Sequence, residues 1–565
     1  MHGERMRNAL YLPLHLLLGC IVMACGALEA WYGRPELFGD DISYLDVANM
    51  IRLGDWRAAF NPLWSIGYPL LLVLVRPFFP AGIHGEFTAV FALNIAICLA
   101  TWLSFLWFLK TAADFLDTNL SPLVLTLAAY IFLVVDIGFG KVSSIGPDQL
   151  VVCLFFLACG RLLRFSQQPT AANGLRLGAI LGCGFVVKAV FLPLSVMFVA
   201  SALLPFRRRL PRKAAVSITG GIFLFLVPYA AALSWAIGRP TLGESGQLNY
   251  AFHVNQLPHW MGWQGGPPRL GTPLHPVHLL RDHPAVFGFG EPFHVTYPPQ
   301  YNLHYWYDGY GHFFSPINAL HAIATNLHEL EKVLHENWSF TLALALALVL
   351  LVYGGSFAHP SGPLRWIGSK PLPIWPLYFP ALFGLALYIQ VHLEGRYIAA
   401  FVAILAITPF LLVESPRLKA AILVLMVAGS ATDLSLQLRP AFLRATNHVD
   451  MQSGSQWEIA RYLTQSGLEP GDKVASVATL NDIRCTWAYA ARLHIVANIG
   501  NDAYSPQNQQ QDFQLFWTDP ATQQDVLRLF REQGAVAVVI PIANTPAISP
   551  NWQQIPNTNA WFLRL

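Results

Sequence analysis

Two carboxylates stand side by side at Asp40-Asp41, within Gly39-Asp40-Asp41-Ile42-Ser43-Tyr44, shortly after an apolar N-terminal run. A carboxylate can take the proton from a hydroxyl that is to become a nucleophile. Adjacent residues on an extended segment point apart, so one carboxylate can serve a reacting group while the other anchors the loop. A structural role is equally natural: Asp41 just ahead of a helical pattern suits a helix N-cap, and Asp40 suits plain interfacial charge. Within the pair, Asp41 fits the cap better and Asp40 the base.

Three later stretches carry charge next to apolar runs. Ser143-Ser144-Ile145-Gly146-Pro147-Asp148 ends on a carboxylate that opens an apolar segment, either as a first-turn acid or as a group binding an acceptor or a cation. Lys188 follows a short apolar segment and precedes Phe191-Leu192-Pro193, so it either snorkels to lipid headgroups or binds a phosphate. His392-Leu393-Glu394-Gly395-Arg396-Tyr397 lies between two apolar runs. Glu394 and Arg396 can pair with each other. Arg396 also has the planar fork that holds a phosphate by two bonds, and a departing phosphate needs such charge stabilisation.

These residues sit in a chain of 565 residues that is 54% hydrophobic and 12% charged, with a mean hydropathy of +0.44. Soluble domains carry about twice that charge, so the composition is that of a polytopic membrane protein. The net charge of +3 gives no reason to expect nucleic acid as a partner. Six of the seven cysteines (Cys20, Cys25, Cys98, Cys153, Cys159 and Cys183, but not Cys485) lie in apolar segments, and no CxxC occurs, so neither a disulfide framework nor a zinc site is read from them.

Apolar runs suitable for membrane spans are 10–30, 87–109, 119–138, 148–165, 174–188, 190–206, 214–237, 338–354, 373–391, 397–413 and 418–436, about eleven helices. The run 63–80, with Pro62, Pro69, Pro77 and Pro80, reads as re-entrant or interfacial. Lys110, Arg161 with Arg164, the group Arg207, Arg208, Arg209, Arg212 and Lys213, then Arg365 with Lys370 and Arg417 with Lys419, set the cytoplasmic side. Asp40, Asp41, Asp148, Lys188, Glu394 and Arg396 then all fall at the outer face. In a bacterium that places them at the periplasmic face of the inner membrane.

Residues 31–86 form a first outer loop, in which Ile42, Tyr44, Leu45, Val47, Ala48 and Ile51 predict an amphipathic helix lying on the membrane and ending near Gly54-Asp55. Residues 238–337 form a large outer loop holding eleven of the 18 histidines together with many aromatics. His275, His278 and His283 have spacing that suits zinc, but no HExxH and no nearby cysteine supports it. Residues 437–565 leave the apolar regime and alternate helix and strand, the pattern of a small outer α/β domain. Its elements are expected at Ser455–Thr464, Lys473–Val477, His494–Ile499, Thr522–Gln533, Ala535–Ile540 and Trp561–Leu565.

Taken in order, these elements resemble a known family. The acidic pair with Tyr44, then Gly54-Asp55-Trp56, Pro62-Leu63-Trp64 and Tyr68-Pro69-Leu70-Leu71, looks like the first outer loop of GT-C glycosyltransferases. Those are integral-membrane enzymes that use polyprenyl-phosphate sugars. Pro147-Asp148, Val187-Lys188 and Glu394-Gly395-Arg396-Tyr397, each before an apolar run, are similar to later elements of the protein O-mannosyltransferase and lipid A aminoarabinose transferase group. The resemblance covers most of residues 10–436.

The resemblance implies Asp40 or Asp41 as general base in an inverting transfer, with polyprenyl phosphate leaving. It implies Lys188 and Arg396 as donor-phosphate ligands; Asp148 and Glu394 are read from the residues themselves as acceptor or cation ligands. Tyr44, Tyr68, His392 and Tyr397 are further contacts. No cofactor is required by the motifs; a divalent cation is a candidate. The expected fold is a polytopic α-helical membrane protein of GT-C type, residues 1–436, with a C-terminal α/β domain, residues 437–565. The partners are a polyprenyl-phosphate sugar, the bilayer, and a glycan, lipid or protein acceptor. The rivals are a transporter or flippase of lipid-linked sugars and a non-catalytic binding protein of the same fold. A transporter would need mid-membrane ionisable groups and repeat symmetry.

Overall fold

The computed structural model describes residues 2–34, 36–203, 211–258, 263, 265, 269–275, 278–289, 295–358, 375–413, 415–449, 452, 454–477, 485–499, 506–541 and 551–565. Arg207, Arg208, Arg209, Arg365 and Lys370, with the ends of the runs 190–206 and 373–391, lie outside the described residues. The chain divides into two compact units. The first comprises Met1–Gly33, Thr88–Ala232 and Ala319–His448, the second Arg34–Phe87, Leu233–Asn318 and Val449–Leu565.

The helices used below are, in chain order, α1 (His2–Tyr32), α2 (Gly39–Leu53), α3 (Gly67–Val75), α4 (Ile83–Leu116) and α5 (Pro122–Ile131), which runs on as a wider π-helical stretch over Phe132–Phe139. Then come α6 (Asp148–Gln167), α7 (Ala171–Val187), α8 (Phe191–Leu203), α9 (Arg212–Ile237) and α10 (Pro316–Glu336). Last are α11 (Trp338–Ala358), α12 (Trp375–Val391), α13 (Gly395–Leu411) and α14 (Pro416–Thr446).

Over their described residues, all eleven apolar runs fall on helices. Six helices among the described residues are long and apolar enough to cross a bilayer, and the bent pair α10 and α11 makes a seventh if counted as one span. The others (α7, α8, the Tyr378–Val391 part of α12, and α13) are shorter apolar helices. A 17-residue helix such as α7 rises about 26 Å, the lower edge of what a span needs. Length alone therefore supports fewer crossings than apolar patterning does. The run 63–80 becomes the nine-residue α3 followed by one 3₁₀ turn, Arg76–Phe78, too short to cross by itself.

In the helical unit, close packing starts from small residues. Thr170 caps α7 by accepting the N–H of Asn173. Gly174, Gly178 and Gly182 then recur on one face of α7, against α9. A Cβ on Gly178 would stand 2.0 Å from the carbonyl oxygen of Ile218, and one on Gly221 of α9 would stand 2.5 Å from that of Leu175. Glycines let the two backbones approach as in other apolar helix pairs.

The sheet belongs to the second unit. Its strands are β1 (Leu279–Arg281), β2 (Val286–Gly288), β3 (Lys473–Val477), β4 (His494–Ile499), β5 (Ala537–Ile540), β6 (Gln553–Gln554) and β7 (Trp561–Arg564). They lie in the order β1-β2-β4-β3-β5-β7-β6, with β4, β3 and β5 parallel and the remaining pairs antiparallel. Buried strands such as Ala537–Ile540 pack on Phe516, Trp517, Val526 and Phe530 from the helices Pro506–Thr518 and Pro520–Glu532. The helix and strand positions expected after Ser455 agree to within a few residues. The sheet is not confined to 437–565, however. Two strands come from the 238–337 loop, because the antiparallel edge of β4 is completed by β2.

Candidate functional site

Four expected site residues of the helical unit come together at helix ends. Asp148 is the first residue of α6. Lys188 caps the C-terminus of α7 in extended backbone. Glu394 and Arg396 flank Gly395 at the start of α13. One oxygen of Asp148 accepts from the Lys188 ammonium, and its other oxygen lies 3.5 Å from Arg396 Nη1. Arg396 donates through Nε to Glu394 at 2.7 Å and through Nη2 to the Tyr397 hydroxyl at 3.1 Å. His392 Nε2 stands 3.0 Å from the other Glu394 oxygen.

Aromatic faces complete the group. Lys188 Nζ sits 4.1 Å above the centre of the Tyr397 ring, and Arg396 Cζ lies 4.9 Å from it. Tyr388 stacks on Tyr397 with ring centres 5.2 Å apart. A cation over a tyrosine face is held electrostatically without being consumed as a hydrogen-bond donor. Burial pushes the Glu394 carboxyl up, but the bond from His392 and the Arg396 charge outweigh it and bring it down to about 2. Glu394 is thus ionised across the physiological range. Side chains of Lys188 and Arg396 remain about one-fifth exposed, at 23% and 22%, so both cations can be reached by an anion.

The acidic pair lies in the second unit. Both aspartates are helical, inside the first turn of α2, because the helix begins at Gly39 after Phe38. They do not stand on an extended segment as expected. Asp41 Oδ2 accepts the Phe38 N–H at 2.8 Å and the Arg34 guanidinium at 2.6 Å, and the residue is 1% exposed. Asp40 is half-buried and accepts from Gln300 Nε2 at 3.0 Å. Tyr44 packs edge-on to Trp64 and Tyr68, with ring centres 5.3 and 6.2 Å away.

α2 ends at Gly54 in the left-handed region, φ 77°, as its sequence suggests. It does not lie on a surface, for Asp41 through Ala48 are all buried within the protein. Asp46 in this stretch accepts the Thr296 N–H and hydroxyl, both at 3.1 Å. Burial pushes its carboxyl up to about 7 despite those bonds and the nearby Arg492.

Among the described residues no three His, Cys, Asp or Glu side chains converge as they would on a metal ion. His275 and His278 pack against Trp306 and bond to the carbonyl oxygens of Trp306 and Gly288. Asp148 has the surroundings of an ion-pair partner, its oxygens facing two cations.

No protein-family model matches the sequence, and no curated protein is similar to it in sequence. Solved structures do match. The chain is similar to the crystal structure of ArnT from Cupriavidus metallidurans bound to undecaprenyl phosphate, with a TM-score of 0.51 and 11% identity, covering 97% of each chain. It is similar also to ArnT in the apo state, with a TM-score of 0.51 and 12% identity, covering 99% of this chain and 98% of that one. The chain has the fold of these ArnT structures.

Three acids that motif reading passed over lie inside apolar runs of this fold. Glu29 of α1 accepts the Ser143 N–H at 2.6 Å and its hydroxyl at 2.8 Å, holding the loop that leads to Asp148. Asp433 of α14 accepts the Phe340 N–H at 2.7 Å in the first turn of α11. Asp136, in the π-helical stretch, is fully buried, with no hydrogen-bond partner for its carboxylate among the described residues. The signal for all three was present, because a lone carboxylate inside an apolar run is costly and marks either a partner or a function.

Proposed function

We propose that the protein is a glycosyltransferase that uses a polyprenyl-phosphate sugar as donor. The observation that carries this reading is the pair of cations Lys188 and Arg396 gathered on Asp148 and over the Tyr397 face at the ends of apolar helices. A phosphate at headgroup depth on a long apolar tail is the ligand such a site suits. The tail binds along apolar helices, at about 0.8 kcal/mol per buried CH₂. The ArnT neighbour supports the reading, since one of its structures holds undecaprenyl phosphate.

The phosphate enters by exchanging with a carboxylate. The contact that yields is the looser one, Arg396 Nη1 to Asp148 at 3.5 Å, while Glu394 keeps the guanidinium oriented at 2.7 Å. In the transfer, the acceptor hydroxyl oxygen bonds to the anomeric carbon as that carbon's bond to the phosphate oxygen breaks. The electron pair leaves with polyprenyl phosphate, whose charge Lys188 and Arg396 stabilise. The hydroxyl proton passes to a carboxylate base. Of the two aspartates Asp40 is assigned this role, because it is half-buried whereas Asp41 is 1% exposed. A single displacement inverts the anomeric configuration. The protein acts as a multi-pass membrane protein at the outer face, on a glycan, lipid or protein hydroxyl.

The test is transfer by purified, reconstituted protein from a panel of radiolabelled polyprenyl-phosphate sugars onto envelope extracts, with Arg396→Gln, Lys188→Gln and Asp40→Asn alongside. Transfer from at least one donor, lost in all three variants, is expected. No transfer from any donor, together with no binding of polyprenyl phosphate, would overturn the reading.

A further inference from the structure

The turn that carries His392, Glu394 and Arg396 is held from one side by α10. Asn326 of α10 is 4% exposed and donates through Nδ2 to the carbonyl oxygen of Ile389 at 3.0 Å. It accepts the Leu393 N–H at 3.1 Å. One amide thus satisfies an orphan carbonyl at the C-terminal end of α12 and the N–H of the turn that follows. About two turns further along α10, Val333 lies beside Gly395, where an added Cβ would meet it at 3.8 Å.

The same helix leaves an apolar stripe uncovered. Leu320, Leu327 and Leu334 recur every seventh residue, on one face of the helix, and are 62%, 49% and 37% exposed. α10 meets α11 at 93°. The break is built in: Asn337 is bonded to Gln437, and the Phe340 N–H at the start of α11 goes to Asp433. Trp338 at the corner is 56% exposed, and the exposed Leu342 and Leu346 continue the apolar surface down α11. Where α11 stands in a bilayer, α10 must lie along its surface, with tryptophan at the corner as membrane interfaces favour.

We propose that α10 is a bilayer-surface anchor for the Glu394–Arg396 turn. Its leucine stripe seats in the acyl boundary of the membrane, and Asn326 is a positioning residue that keeps Arg396 at the depth of lipid phosphate groups. The membrane contact stands by itself; the purpose of the positioning rests on the phosphate site proposed above. Tying the turn to a helix that floats at the interface lets an apolar tail and its phosphate be met together, without the turn having to find its depth by its own exposed charges.

Two measurements on the full chain test this. Benzoylphenylalanine in place of Leu320, Leu327 or Leu334, in vesicles of radiolabelled phosphatidylcholine, is expected on irradiation to label lipid. The same probe at Lys332, on the polar face, labels little. Crosslinking of the leucine positions to a second copy or another protein, or no lipid label, would overturn the anchor.

The second measurement compares affinity for polyprenyl phosphate with affinity for the uncharged polyprenol. Asn326→Ala, or the milder Val333→Ala if the first does not fold, is expected to cut the phosphate-over-alcohol preference about tenfold, whereas general unfolding lowers both affinities. An unchanged ratio in a folded variant removes the positioning role, provided Arg396→Gln lowers it. If Arg396→Gln also leaves the ratio unchanged, the phosphate site itself is wrong.

Discussion

Asp148 faces two cations at once, with Lys188 bonded to one oxygen and Arg396 3.5 Å from the other. The three come from α6, from the end of α7 and from the start of α13, and no two are closer in sequence than 40 residues. Asp148 offsets the repulsion between the two cations, and Glu394 adds a second carboxylate to Arg396.

Arg396→Lys preserves charge and removes the planar fork. Arg396 now contacts Glu394, Tyr397 and Asp148 from three different nitrogens, and an ammonium cannot reach all three. Binding of polyprenyl phosphate in nanodiscs should weaken about tenfold while the melting temperature holds. Unchanged affinity would argue against a fork-held phosphate.

The two aspartates should separate by phenotype. Asp41→Ala loses the bond to Phe38 N–H and the Arg34 pair, costing about 1 kcal/mol for the capping interaction alone. Asp40→Asn should melt like the parent and lose transfer. A destabilised Asp40→Asn, or one with full transfer, would remove Asp40 as the base.

Glu394 makes the helical unit acid-sensitive. Its carboxyl is held at about 2 in the folded protein, against 4.5 for the free group, so its stabilising contribution is complete above about 4.5 and is lost as pH falls towards 2. Melting temperatures measured between pH 5 and pH 2 should fall less steeply for Glu394→Gln than for the parent. Parallel curves would show that the pairing contributes nothing.

Asp46 works in the opposite direction. With its carboxyl raised from 3.8 to about 7, the folded state holds a proton that the unfolded chain has released. Stability from this group is complete below 3.8, declines as pH rises, and is gone above about 7. Asp46→Asn can still meet both Thr296 groups and should flatten the decline of the second unit between those limits, read by hydrogen exchange of α2 amides.

Gly178→Ala should destabilise by about 1–3 kcal/mol, because the new methyl meets the Ile218 carbonyl at 2.0 Å and α7 must move off α9. The melting temperature in detergent checks this. Gly220→Ala, with no atom within 4 Å of the added carbon, is the control.

The sequence by itself determined the apolar helices, the strands and helices of the stretch after Ser455, and which charged residues stand at the ends of apolar runs. Apolar patterning is local, and a charged residue beside an apolar run stands out wherever the chain takes it. Lys188 and Arg396 were legible for that reason. Only the tertiary structure decided what each charge faces. It brought Asp148 between Lys188 and Arg396, gave Asp41 to Arg34 and the start of α2, and buried α2 that patterning had laid on a membrane. It also drew β1 and β2 from a distant loop into one sheet with β4. These are pairings across tens to hundreds of residues, set by shape and by the need of each buried polar group for a partner. Asn326 shows the limit most plainly: in sequence it is one polar residue in an amphipathic helix, and in the fold its amide clamps the turn that carries Arg396.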